Sequence, residues 1–292
     1  MSKPLLALAV CLFLSTTTHL GADDDAVKLH AAAVAKIQAG SFAEAIALLD
    51  QCIAKDPATA VYWKDRGRAR QMLDDLDGAI ADYDRAIAVE PALAMAWNNR
   101  GCARRSKGDH TGAMADLARA IALDPKLDFA YVNRGYTHIV LGDLAAAKAD
   151  IERALELGTK YRDYPALWLW TIRARMGDKP AADDGLRKHL ATLAPDAAAR
   201  SFAARLAALL LGDADEAGFL AELDKDTTPE GKGMRCEAHY FAGTRQRVLG
   251  RDESAVQHFR KAVAQQAPGY VEHHAALRAL EEMGHATAEL DK

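Results

Sequence analysis

The chain has 292 residues, 50% hydrophobic and 27% charged, with a formal net charge of −4. A mildly acidic chain with interspersed charges excludes the basic electrostatic footprint that nucleic-acid binding requires. Abundant alanine, sparse proline and the lack of long β-branched runs argue against a sheet and for a helical protein.

The first residues read as an export signal, with Lys3 as the positive start, Leu5 to Leu14 as an apolar stretch too short for a membrane span, and a polar exit from Thr16 to Asp23. Cleavage is expected after Ala22, leaving a periplasmic or secreted chain with no transmembrane segment. Cys11 is a poor site for lipid attachment, because it lies inside the apolar stretch and follows Val10 where a small residue is expected. Removal of the signal leaves Cys52, Cys102 and Cys236. An odd number, spread over different units, points to buried free thiols rather than a disulfide framework.

From residue 26 to 161 the sequence reads as four helix–turn–helix units, the first (26–59) weaker than the rest. Over residues 60–161 the period is 34: Trp63, Trp97 and Tyr131 fall on it, as do Gly67, Gly101 and Gly135, then Ala79, Ala113 and Ala147, then Ala86, Ala120 and Ala154. A fixed period of this length means one supersecondary unit stacked repeatedly, since one unit cannot bury its apolar face alone. Within the units a helical pattern is broken at a turn such as DDLDG, resumes, and stops at Pro91 or Pro125, while 128–161 ends ALELGTKY where a proline would be expected. The glycines and small alanines lie where two helices must come close.

The succession of aromatic, Gly, Gly-Asp, Ala, aromatic, Ala and Pro in residues 96–125 (AWNNRGCARRSKGDHTGAMADLARAIALDP) closely resembles the tetratricopeptide repeat. The resemblance implies an all-α, right-handed superhelical solenoid of antiparallel helix pairs. Beyond Tyr161 the signal degrades: Gly177-Asp178 and Gly212-Asp213 still mark turns across a divergent segment at 162–234, whose TTPEGKG at 227–233 reads as the best loop in the chain. A full repeat returns from Cys236 through Gly243, Gly250, Ala255, Phe259 and Ala262, and residues 270–284 form a last, capping helix. The unit 236–284 and the LWLWTIRARMGD stretch further resemble NlpI-type periplasmic adaptor lipoproteins of Gram-negative bacteria. That resemblance implies a dimeric, non-catalytic adaptor that brings a periplasmic processing protease and peptidoglycan hydrolases together.

No residues carry catalytic or metal-ligand spacing, and no cofactor is expected. Glu272, His273 and His274 diverge around a helix and read as solvated polar surface, while His239 and His258 could meet across one helix pair without a third ligand. Arg66, Arg100 and Arg134 repeat before the inter-helix glycines, and Asp82, Asp116 and Asp150 repeat on the second helices with Arg85, Arg119 and Arg153 three residues on. Identical charges in every unit are expected to stitch neighbouring repeats together.

Recognition is expected instead where the units differ, on the face of each first helix that lines the concave groove in a tetratricopeptide array. That face carries Lys64, Arg68 and Met72, then Met95, Asn98, Asn99, Cys102 and Arg105, then Phe129, Val132, Asn133, Tyr136 and Val140. Asn and Arg side chains can bond an extended peptide backbone, and Met95, Phe129 and Tyr136 offer apolar anchors. The alternatives are a groove that is solvated or filled by the protein's own tail, with partners held by the C-terminal half, and an enzyme whose site the sequence does not display.

Overall fold

The structure is a computed structural model, described over residues 24–159, 163–193, 201–267 and 269–287. The export segment and Cys11 lie outside the described residues. Every regular element within them is a helix: α1 (Asp24–Gln38), α2 (Phe42–Lys55), α3 (Ala60–Met72), α4 (Leu76–Val89), α5 (Ala94–Ser106), α6 (His110–Leu123), α7 (Asp128–Leu141), α8 (Leu144–Leu157), α9 (Asp163–Arg175), α10 (Lys179–Leu190), α11 (Phe202–Leu211), α12 (Glu216–Leu223), α13 (Pro229–Val248), α14 (Asp252–Ala264) and α15 (Val271–Glu282). None of them is long and apolar enough to cross a membrane.

The repeated columns have direct structural causes. Gly108, Gly142 and Gly177 turn the chain with φ of 82°, 84° and 89°, values that glycine adopts without a Cβ penalty. The aspartate that follows each one caps the next helix. Asp109 accepts from Gly112 N at 2.9 Å, Asp143 from Ala146 N at 3.0 Å and Asp178 from Ala181 N at 3.1 Å, each satisfying an otherwise orphan amide. The aromatic column reaches back to the proline that ended the previous unit: Trp63 Nε1 donates to Pro57 O at 2.9 Å, Trp97 Nε1 to Pro91 O at 3.0 Å and Tyr131 Oη to Pro125 O at 3.3 Å. A Cβ on Gly67 would stand 2.7 Å from the Tyr83 ring and one on Gly101 2.9 Å from Leu117, which is why neither helix position holds a side chain.

The arginine and aspartate columns pair within each repeat rather than stitching repeats together, and only Arg66 and Arg100 also reach back to the preceding unit, through aspartates outside that column. Each aspartate is gripped by arginines of the preceding first helix, not by the arginine three residues on. Arg66 holds buried Asp82 through Nε at 2.9 Å and Nη2 at 2.6 Å and reaches back to Asp50 of the previous unit at 2.5 Å. Arg100 repeats this with Asp116, at 2.8 and 2.7 Å, and with Asp84 at 2.5 Å. Arg134 holds Asp150 at 2.8 and 2.7 Å.

Two further expectations need correction. Residues 229–233 are not a loop: Pro229 opens α13, and Thr228 caps it by accepting from Gly231 N at 3.0 Å. Glu272 and His273 are not solvated surface but buried, because α15 packs against α7 as well as α13 and α14, on the inner side of the curve. From α7 onward the helices therefore enclose one continuous core around Trp168, Trp170, Tyr240, Phe241 and Phe259, whereas the first repeats have thin separate layers. Cys52 and Cys236 are buried free thiols and Cys102 is a half-buried one.

Candidate binding groove

The concave face is built from the first helices α3, α5 and α7. A line of amides runs along it: Asn98 Nδ2 donates to Asn99 Oδ1 at 3.0 Å, and Asn133 Nδ2 donates to Asn98 Oδ1 at 3.0 Å. Near the N-terminal end, Lys64 Nζ lies 2.9 Å from Asp65 Oδ1, and His30 Nε2 lies 2.8 Å from Asp65 Oδ2. Burial alone would raise the Asp65 carboxyl, but the His30 hydrogen bond and the Lys64 charge outweigh it and hold it below the usual range. Arg68 is exposed, while Lys64, Met95, Asn99, Phe129 and Asn133 are half-buried.

Met72 is exposed, and several other candidates are taken up by the protein's own fold. Asn98 is 3% exposed, Arg105 6% and Val132 8%. The Tyr136 ring packs on Trp168 with centroids 5.6 Å apart, and burial pushes its phenol up. The free part of the expected groove thus runs from Lys64 to Phe129, and its Arg105–Tyr136 end is roofed by α15. There Glu272, 5% exposed, faces Arg105 and Tyr136 and is hydrogen-bonded by the Trp168 side chain. Beside it, Glu237 of α13 accepts from Tyr164 Oη at 2.8 Å. Removal from water raises both carboxyls, and their mutual repulsion adds to the rise at Glu237.

Sequence reasoning passed over Glu237, Tyr164 and Trp168 and put Glu272 at the surface, because nothing in a 34-residue period says which later helix folds back into the groove. It did bring His239 and His258 together, with Nδ1 atoms 3.2 Å apart. His258 Nε2 also lies 3.3 Å from Glu216 Oε1. Burial lowers both imidazoles, that of His239 to about 4, so they pack as neutral rings near neutral pH. Among the described residues no group of three or more His, Cys, Asp or Glu side chains could hold a metal ion.

Residues 30–87 and 64–128 match a family model of the tetratricopeptide repeat, and residues 130–157 match a second such model. No curated protein matches the chain. Among solved structures, the fold is similar to that of PilW, described as a widely conserved type IV pilus biogenesis factor. The identity is 16%, 88% of this chain and 100% of that chain are covered, and the TM-score is 0.56. It is also similar to a thermophilic TPR protein of Thermus thermophilus, at 19% identity, with 59% of this chain and 93% of that chain covered and a TM-score of 0.50. Residues 30–157 are tetratricopeptide repeats, and the molecule they open is an all-α repeat solenoid closed by a C-terminal helix.

Proposed function

We propose that this chain is a non-catalytic scaffold for protein–protein contacts in the bacterial cell envelope, and that it takes a partner segment in the open part of its groove. The observation that carries this reading is the pair of half-buried amides Asn99 and Asn133 at equivalent places on adjacent first helices, held in place by buried Asn98 and bordered by Lys64, Arg68, Met95 and Phe129. Repeats of this kind generally serve as interaction scaffolds. Partly exposed amides on adjacent helices suit the backbone of an extended peptide, and the half-buried Met95 and Phe129 suit its apolar side chains. Export by residues 1–22, dimerisation, and partnership with a periplasmic protease or peptidoglycan hydrolases rest on the signal-like N-terminus and on the NlpI-like residues 236–284.

The test places a photo-crosslinking residue at position 68 in the groove or at position 85, exposed on a second helix, and exposes each purified chain to envelope extract. Adducts are expected from position 68 and not from position 85. They should vanish in a variant carrying Lys64→Ala, Asn99→Ala, Phe129→Ala and Asn133→Ala. Equal adducts from both positions, or adducts that survive the four substitutions, would remove the groove from the reading.

A further inference from the structure

α15 fills one end of the groove, as the alternative of a groove occupied by the protein's own tail expects, and its chemistry describes what else would fit there. Its buried side sets three alanines (Ala275, Ala276, Ala279) beside Val271, Leu277 and Leu280, with Glu272 and His273 buried among them. An alanine methyl removes little apolar surface from water, so the Ala275–Ala276–Ala279 part of this interface is held less firmly than the part made by Val271, Leu277 and Leu280.

Set into the same interface is Glu272. Its carboxyl is removed from water and faces Arg105 of α5, Tyr136 of α7, Trp168 and Tyr164 of α9, and Glu237, Cys236 and Tyr240 of α13. Arg105 is itself buried, and its Nε and Nη1 have no hydrogen-bond partner. The guanidinium is thus an underused carboxylate receptor, partly served by a glutamate that has another glutamate beside it.

The far end of the helix is anchored differently. Glu282 accepts from Arg175 Nη2 at 2.7 Å and from Arg247 Nη1 at 2.9 Å. On its outer side α15 leaves a cleft of 430 Å³ against the α5–α6 turn and the end of α7, lined by Ser106, His110, Val140, His274 and Leu277 among others. The segment leading into α15 contains Gln266 at φ 49°, a left-handed backbone that a side chain rarely adopts, followed by Gly269.

We propose that α15 is a displaceable occupant of the groove: it swings out about Gln265–Ala267, and the Arg105–Tyr136 surface it uncovers takes an amphipathic helix of a partner that presents a carboxylate to Arg105. The chain's own helix shows the required chemistry, with a glutamate in the first turn, small residues along one side and an apolar residue every three to four positions. A partner helix gains over α15 where it fills the cleft and saturates the free guanidinium nitrogens. This inference extends the scaffold reading to a second site, but its test uses the protein's own helix as probe. Its failure therefore leaves the Lys64–Phe129 groove untouched, and failure of crosslinking at position 68 leaves this site untouched.

Two measurements on the full mature chain decide it. Native-state hydrogen exchange of the wild type is expected to open amides of α15 about tenfold or more faster than those of α13 and α14, as an independent unit. Opening of all three helices at one common rate would overturn the proposal. A labelled synthetic peptide of residues 270–284 is then titrated into wild type and into Glu282→Ala, which frees the anchor at the end remote from Arg105. The variant is expected to bind the peptide about tenfold more tightly, because a larger fraction of it is open. A peptide with Glu272→Gln should bind the variant several-fold more weakly. Equal binding to both chains, or indifference to the Glu272 change, would overturn the proposal. If Glu282→Ala does not fold, the wild-type exchange order decides alone.

Discussion

At the scale of single residues, the most consequential side chains are the aspartates inside the repeats. Asp116 has a side chain only 3% exposed and receives two bonds from Arg100 and one from Arg104 at 2.9 Å, whereas Asp84, 51% exposed, shares the same Arg100. Removing one partner of a buried pair strands the other charge, so Asp116→Ala is expected to cost about 3 kcal/mol. Asp84→Ala should cost well under about 1 kcal/mol, since water screens and replaces that contact. Urea denaturation of both variants measures the difference, and similar losses from the two would show that the bridge between repeats matters as much as the one within. The Arg100 and Asp116 columns were legible in the sequence because each of the three later units repeats them, whereas the bridging Asp50 and Asp84 have no counterpart at Ala118. The pairing of those two columns was not, because Arg119 sits one turn from Asp116 on the same helix while the true partner, Arg100, comes from another. A helical wheel sees the first neighbour and not the second.

Among elements, α15 and its buried carboxyl pair set the pH response. Glu237 and Glu272 are both raised above the ordinary carboxylate range by burial, Glu237 to about 8. A carboxyl whose folded pKa lies above its unfolded value, about 4.3 for a free glutamate, holds its proton more tightly when folded. Its contribution to stability is greatest below the unfolded pKa and is lost progressively as pH rises toward 8. Thermal melts or exchange of α15 should therefore show a falling stability between pH 5 and pH 8, by a few kcal/mol at most. Glu237→Gln, which keeps a group able to bond Tyr164 and removes one charge, should flatten that slope. A slope unchanged by the substitution would mean the carboxyl pair is not its source.

Most helix boundaries were legible in the Gly-Asp turns and in the prolines. The start of α13 was not, because Gly231 and Gly233 resemble a loop composition. In the structure a Cβ on Gly233 would run into the Tyr270 side chain, so that glycine marks a close approach between α13 and the start of α15.

For the whole molecule, the repeat period describes α1 to α8 well and then fades, and the fold shows why. Stacked units meet the same neighbour at the same angle, so the same residues recur. From α9 on, each helix meets something different: Trp168 alone packs against Tyr136, Tyr240 and Phe241, from two other helices. Such one-off contacts leave no period to read. The candidate groove divides along the same line, its open end carrying the repeat positions and its roofed end knowable only once α15 had a place.

The bridging arginines also determine where the array would yield under tension. Asp50 and Asp84 each lie sixteen residues before their arginine, and Ala118 stands at the equivalent place before Arg134, so the seam between the third and fourth units has no bridging carboxylate there. That unlaced seam is also the one spanned on its inner side by α15, which touches His110 with His274 at a centroid separation of 5.8 Å and closes over α7. Pulling the two ends of the molecule apart should therefore open this seam first, with α15 acting as a splint that carries the load until it lets go. Ala118→Asp should supply the missing lacing, adding up to about 1 kcal/mol and raising the lowest rupture force in a single-molecule pulling trace. A trace that first yields at the first or second seam in both proteins would place the weak point elsewhere. A partner that draws out α15 would, on this view, turn a stiff rod into one with a joint.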